Sequence, residues 1–539
     1  MGADLVLKWC VNGRTGSQNM HEGTNCVIVP VSEGEVLHMV EARLAIEASR
    51  KMFFNGYQTW TYSPEYTPYG RIRGLHGTPK LGIDKFSLDR YGDYHFVEYP
   101  WHRGILHGVS YCYFRDGDRY RLLASLDEKT GYTLFTYNST KAVMKIERDC
   151  KGVAVHGSTL DAFDLFYAEG TEKEVFDKWF EAMGIKNDVP PIKGYSSWYN
   201  HYQDINEQGI LEDLTGAIKV FDDNDLFQID DGWEPFVGDW DKTDAKKFPN
   251  GLAPLAEEIH MAGFRAGLWL APFACEEKSE IFKNHPDWLL QYNGEPWKAG
   301  CNWSGFYALD IDNPEVREHL RRVFRRIFDE WNFDLVKLDF LYAAAPYATG
   351  DHGSENDGAF SESRAGRMIR ALSFLREVCG TKLILGCGTP VMPAFGLVDY
   401  CRIGCDVGLD WNDKLYMRII HRERVSTKHS INNTIFRRGL DRRAHGNDPD
   451  VFFLRDNNIS LTHEEKIYLA TVNALFGSVW LTSDDLNSYD AAKIAEYRAL
   501  VHMREAATEV SVDEDTLTIK YKLEGKRHTV EYPHKYKVN

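Results

Sequence analysis

From Gly194 onward the chain keeps one rhythm: a short apolar strand, a few polar residues, an amphipathic helix, then the same again. The apolar runs fall at residues 195–199, 226–229, 266–270, 335–338, 383–385, 400–403, weakly near Ala444, and at 478–481. Strands separated by helices lie parallel, because each helix returns the chain across the sheet before the next strand starts. Eight such units in about 290 residues match the length and cadence of a (β/α)8 TIM barrel. An open doubly wound sheet is the competing fold, but no Gly-rich first turn is present to support it. The fourth unit is the sharpest. A helix-patterned stretch over 315–331 leads into Phe333-Asp334-Leu335-Val336-Lys337-Leu338-Asp339-Phe340. Lys337 and Asp339 are two apart and share a face, at the strand end where barrels carry their chemistry. A buried ion pair that only holds the sheet together fits the same residues.

The remainder divides around this core. At 539 residues two or three domains are expected. Residues 1 to about 180 read as strand and turn, with apolar stretches at 25–30, 111–114 and 120–125 and turns such as Asp116-Gly117-Asp118. That is a large all-β unit, a sandwich, closed by a helix over 172–183. Asn187-Asp188-Val189-Pro190-Pro191 is a stiff linker. The expected division is therefore 1–186 for the N-terminal β domain, 187–486 for the barrel and 487–539 for a small C-terminal β domain. The last of these opens with a helix over 491–507.

Charge and cysteine usage narrow the function. The net charge of −17, with basic clusters only at Arg321-Arg322/Arg325-Arg326 and Arg437-Arg438/Arg442-Arg443, argues against nucleic acid as a partner. No apolar span is long enough for a membrane helix. Met1-Gly2-Ala3-Asp4 does not open a secretory signal, and ten scattered cysteines make no disulfide framework, so cytoplasmic residence is expected. The 19 histidines include no H-x-H or H-E-x-x-H set for zinc.

The strand ends converge on one kind of ligand. They read Ser197-Trp198-Tyr199-Asn200, Asp230-Asp231-Gly232-Trp233, Trp269-Leu270-Ala271-Pro272, Lys337 with Asp339, Gly386-Cys387-Gly388-Thr389-Pro390, Arg402-Ile403-Gly404-Cys405-Asp406 and Thr482-Ser483-Asp484-Asp485. Carboxylates accept hydrogen bonds from vicinal hydroxyls, and aromatic faces cover the C–H side of a sugar ring. Two further carboxylates on opposite walls suit glycoside hydrolysis. Asp-rich barrel mouths also hold Mg²⁺, but here Lys337 and Arg402 stand among the carboxylates as charge balance. Cys387 could be a thiol nucleophile, although no His lies near it in sequence. Trp60, in the amide- and aromatic-rich stretch Phe54-Asn55-Gly56-Tyr57-Gln58-Thr59-Trp60, is either core or a loop reaching a neighbouring site.

Together, Asp230-Asp231-Gly232-Trp233, Lys337-Leu338-Asp339-Phe340, Leu385-Gly386-Cys387-Gly388-Thr389-Pro390 and Arg402-Ile403-Gly404-Cys405-Asp406 resemble the α-galactosidases of glycoside hydrolase family 36, in their compact bacterial single-chain form. The resemblance runs from the Trp60 stretch to Gly446-Asn447-Asp448-Pro449-Asp450 and is loosest around Cys405 and Val407. It implies an N-terminal β-supersandwich, a (β/α)8 barrel and a C-terminal β domain, with no metal or organic cofactor and retention of anomeric configuration. It implies Asp339 as nucleophile and Asp406 as acid/base. Asp230 and Asp231 would bind O4 and O6 of galactose, Lys337 the ring hydroxyls, and Arg402 and Cys387 the O2 region. Trp198, Tyr199 and Trp269 would form the wall, with Trp60 over the mouth. The expected substrates are α-galactoside oligosaccharides such as melibiose or raffinose-type sugars. α-N-acetylgalactosaminidase, or another α-glycosidase or transglycosidase, is the alternative.

Overall fold

The computed structural model describes residues 5–347, 359–419 and 422–537; the first four residues, on which the absence of a leader was read, lie outside them. At its centre is a nine-stranded, all-parallel sheet. In chain order its strands are Ile192–Ser196, Leu226–Ile229, Arg265–Leu270, Leu335–Leu338, Leu383–Gly386, Tyr400–Arg402, Gly446–Asp448, Val451–Phe452 and Val479–Thr482. Gly446–Asp448 pairs with the sixth strand, whereas Val451–Phe452 pairs with the last. Only Pro449 and Asp450 separate these two pieces, and Ser478 N–H donates to the Asn447 carbonyl at 3.0 Å. The sheet therefore curls until its two ends meet.

Two expectations shift. The seventh strand lies at 446–448 and 451–452 rather than near Ala444, broken where Pro449 lacks an amide proton and Asp450 takes a left-handed φ of 78°. The first strand ends at Ser196, because Trp198–His201 turns into a short helix. Trp198 and Tyr199 thus sit just beyond the strand, on its C-terminal side. Leu226–Ile229 and Leu335–Leu338 fall where their apolar-rich runs place them, each with a single polar residue, Gln228 or Lys337, and buried on both faces.

Two six-stranded antiparallel sheets precede the curled sheet and share one apolar cluster. Alternation sets their inner faces: Val27 and Val29 on one sheet face Ala42 and Leu44 on the other. Phe54 stacks across the gap on Tyr137 at 6.3 Å. Phe53, pointing the opposite way, belongs to the cluster that continues through Phe176 and Trp179 into the parallel sheet. Those two rings come from the helix Glu172–Met183, which has a Thr171/Glu174 capping box and a left-handed Gly184 at its end. The second basic cluster joins these parts, Arg438 pairing with Glu172 and Glu514 and Arg443 with Asp177. A three-stranded antiparallel sheet, Thr508–Asp513, Thr518–Leu523 and Lys526–Val530, follows the helix Ala491–Ala506, whose Tyr497 packs on Trp480. Among the described residues no helix is long and apolar enough to cross a membrane.

A buried carboxyl in the β region gives a pH signature. Glu128 accepts from Thr133 N–H (2.9 Å) and Ser110 Oγ (3.1 Å), and burial pushes its pKa up to about 7. Below the unfolded pKa of about 4.3 both states are protonated and nothing is lost. As pH rises the unfolded chain ionises first, so stability falls through the window up to about pH 7, by about 4 kcal/mol in full. Glu128→Gln should therefore raise Tm over wild type more at pH 8 than at pH 5. Equal shifts at both pH values in thermal unfolding would rule this out.

Candidate active site

The curled sheet gathers the strand-end side chains into connected hydrogen-bond groups at one rim. Asp230, at the end of the second strand, is a hub. Its Oδ2 accepts from Lys337 Nζ (2.8 Å), Gln228 Nε2 (2.8 Å) and Ser196 Oγ (3.3 Å), and its Oδ1 from Asp231 N–H (3.0 Å). The ammonium of Lys337 thus reaches past the third strand to the carboxylate at the end of the second, rather than resting on Asp339, with which it shares a strand face. Asp339 still lies within its field: the buried Lys337 is held charged by Asp230 first and Asp339 second.

Asp339 is aimed by three donors. Phe340 N–H donates to Oδ1 at 2.8 Å, Trp269 Nε1 to Oδ2 at 3.2 Å, and the Cys387 thiol also donates to the carboxylate. Burial raises its pKa, Lys337 pulls it back, and the charge of Asp406 pushes it up again. Phe340 holds a left-handed φ of 54°, a conformation that disfavours a bulky side chain. Trp60 and Trp303, both 5.0 Å away, and Phe306 at 5.2 Å pack around its ring and hold it there. Cys387 is itself covered by Trp60, whose Nε1 lies 3.3 Å from Sγ. Burial and the Asp339 charge push the thiol well above its ordinary range, so it remains a protonated donor and not a nucleophile.

On the opposite side Arg402 bridges two carboxylates. Its Nη2 donates to Asp406 Oδ1 at 2.9 Å and also pairs with Asp450. Arg402 is buried, whereas the Asp406 side chain is 42% exposed and open to solvent. Asp450 accepts in addition from Tyr199 OH (2.7 Å) and Val407 N–H (2.8 Å), and burial lifts its pKa to about 6. Trp198 is half-buried at the edge, its ring 5.3 Å from that of Tyr202.

The sequence-predicted residues thus come together, and the structure adds others. Asp231 accepts from Gln203 Nε2 and Trp303 Nε1, both at 2.9 Å, and has the buried Glu234 beside it. Burial, then the charge of Asp231, pushes the Glu234 carboxyl well above the carboxylate range. Trp303 comes from the irregular stretch between the third and fourth strands, where no periodicity marks a site residue. Asp450 was visible in Gly446-Asn447-Asp448-Pro449-Asp450, but nothing in the sequence showed that it shares Arg402 with Asp406. Among the described residues no group of three or more His, Cys, Asp or Glu could hold a metal ion. Chemically, the rim offers an aimed carboxylate, a second and exposed carboxyl beside a guanidinium, and a cradle of acceptors rimmed by indoles.

Comparison with known proteins gives the same direction. The family model described as Melibiase matches residues 183–360. Over 181 residues the chain is 29% identical to "Alpha-galactosidase Mel36A" of Lactobacillus acidophilus, and over 170 residues 34% identical to "Alpha-galactosidase 2" of Pediococcus pentosaceus. These alignments take in 32% and 30% of this chain but only 24% and 23% of those proteins. The chain thus matches about a quarter of the length of its curated relatives. Among solved structures, TtGalA, an α-galactosidase from Thermus thermophilus in complex with p-nitrophenyl α-D-galactopyranoside, superposes with a TM-score of 0.73 at 27% identity. That match covers 94% of this chain and 96% of that one. The same enzyme in complex with stachyose gives 0.71 at 26% identity, covering 92% and 98%.

Proposed function

We propose that the chain is a retaining, exo-acting α-galactosidase of the glycoside hydrolase family 36 type, a reading supported by its similarity to α-galactosidases. It releases terminal α-linked galactose, from sugars such as melibiose and the raffinose series, by double displacement. The observation that carries this reading is the contrast between two carboxyl groups. Asp339 is buried and aimed by Phe340 N–H, Trp269 and Cys387, whereas Asp406 is exposed and tied to Arg402. A nucleophile needs fixed aim; an acid/base needs access to the leaving group and to water. In this reading Asp339 attacks the anomeric carbon and Asp406 protonates the departing oxygen, then deprotonates water. Asp230 and Asp231 bind O4 and O6, Lys337 the ring hydroxyls, and Arg402 and Cys387 border O2. Trp269, Tyr199, Trp198 and Trp60 form the walls. The reading takes the curled sheet as a (β/α)8 barrel, residues 187–486, between a β-supersandwich, 1–186, and a C-terminal β domain, 487–539. It places the enzyme in the cytoplasm. The stachyose held by TtGalA supports an oligosaccharide as substrate.

The test is hydrolysis of an aryl α-galactoside followed by NMR from the first seconds. α-Galactose should appear first and mutarotate later; initial β-galactose would reject retention. The same assay separates the alternative. A 2-acetamido group must fit where Cys387 lies under Trp60 and Arg402 is held by Asp406 and Asp450. The aryl α-N-acetylgalactosaminide should therefore show kcat/KM lower by about 10-fold or more. The reverse order would make the chain an α-N-acetylgalactosaminidase. Galactose passed to a sugar acceptor in preference to water would make it a transglycosidase.

A further inference from the structure

Arg437 follows the helix Thr427–Phe436, is 1% exposed, and finds no carboxylate among its hydrogen-bond partners. Its Nε donates to Asn55 Oδ1 (3.0 Å), and its Nη1 to the carbonyls of Thr59 (2.7 Å) and Ile403 (2.9 Å). Its Nη2 donates to the carbonyls of Gly56 (3.4 Å) and Gln58 (3.2 Å) and to Ser63 Oγ (3.0 Å). A guanidinium buried without a counter-ion is costly, and burial pulls its pKa down to about 10. Six acceptors solvate it instead. Five belong to residues 55–63 and the sixth to Ile403, three residues before Asp406. A lysine ammonium, with three donors at a point, could not span that set.

The 55–63 loop carries Trp60 from the N-terminal β region to the rim. Its indole donates to Cys387 and packs edge-on to Phe340, the residue whose N–H aims Asp339. The fit allows no slack. Gly388 stands under the indole with φ +56°, and a Cβ there would lie 2.7 Å from Trp60.

We propose that Arg437 is a positioning residue: its fork fixes the 55–63 loop, and so the Trp60 indole, over Cys387 and Asp339, and ties that loop to the segment after Tyr400–Arg402 that bears Asp406. For its effect on turnover the proposal rests on the α-galactosidase reading; for its geometry it does not. The competing account is that Arg437 only glues the β region to the parallel sheet.

Cys387 separates the two without any assay of activity, since its thiol is covered by Trp60 while other cysteines are buried elsewhere. Full-length wild type, Arg437→Met and Arg437→Lys are treated with N-ethylmaleimide, and labelling of each cysteine is followed by peptide mass spectrometry. Labelling of Cys387 should accelerate at least tenfold in both variants, while Cys112, Cys275 and Cys379 keep wild-type rates. Trp60→Ala should uncover Cys387 by itself, and adding Arg437→Lys to it should change nothing further. Wild-type protection of Cys387 in both variants overturns the proposal. So does a joint rise at all the buried cysteines, which is the signature of glue. With an aryl α-galactoside, Arg437→Lys and Trp60→Ala should each lower kcat/KM by about 10² and combine less than additively; additive losses would also overturn it. If wild type fails to cleave the galactoside, the functional reading falls, and the labelling result still decides the role of Arg437.

Discussion

Asp339→Ala should abolish turnover on every leaving group, lowering kcat by a factor on the order of 10⁵–10⁶, the scale of losing a covalent nucleophile. The substitution removes the carboxylate but leaves its donors. Phe340 N–H, Trp269 Nε1 and the Cys387 thiol would all point into the vacated space, and Lys337 would still lend its positive field. Such a hole suits a small anion. Azide should enter it, attack opposite the α-linked leaving group and restore measurable turnover with β-galactosyl azide as product. A wild-type rate in Asp339→Ala, or an α-azide from it, would show that the nucleophile had been assigned to the wrong residue. The pH profile supplies a second check. In its proposed role as nucleophile Asp339 must be ionised, so activity should fall as pH drops through its pKa. Burial holds that pKa above the usual carboxylate range despite Lys337, so the acidic limb of kcat/KM should lie above that range too. A limb at ordinary carboxylate pH would contradict the buried placement of Asp339.

The parts of this site that were legible in the sequence are those that a strand carries. Lys337, Trp269 and Arg402 lie within buried strands and Asp339, Asp230 and Asp231 directly after them, so the length and burial of those strands leave one frame, and arrival at a common rim follows from it. What periodicity does not contain is the neighbour across the sheet. It placed Lys337 on the face of Asp339, but which carboxylate the ammonium touches depends on how the curl of the sheet brings the ends of strands two and four together past strand three, and it touches Asp230. The first strand read three residues late because Trp198 and Tyr199 extend the apolar run, while the chain had already turned into a helix at Trp198. Trp303 and Asp450 sit on irregular backbone, both at positive φ, where no repeat predicts a direction. Arg437 was visible only as a basic cluster. Its six acceptors come from segments more than 30 residues away in sequence, a relation that exists only after folding.

Asp406→Ala should instead discriminate among leaving groups. Proton donation matters most when the departing oxygen is basic, so a sugar alkoxide needs the acid and a dinitrophenolate hardly does. For melibiose or raffinose the loss in kcat/KM should reach about 10³–10⁴, and for a dinitrophenyl galactoside formation of the glycosyl-enzyme should stay near wild type. Hydrolysis of that intermediate also loses its base, so a burst followed by slow turnover is expected. The exposed side of Asp406 is where water or an added anion would approach, and the substitution removes one of the two carboxylates that Arg402 bridges, leaving Asp450 as its partner. Azide should then intercept the β-linked intermediate from the opposite face and give α-galactosyl azide, accelerating turnover without any general base. The anomer decides between the two residues. A β-azide from Asp406→Ala together with an α-azide from Asp339→Ala would exchange their roles. An equal loss on alkoxide and dinitrophenolate substrates would mean that Asp406 only holds Arg402 in place. Asp450→Asn provides the contrast: it disturbs the same guanidinium without removing the acid, so any loss it causes should be independent of the leaving group.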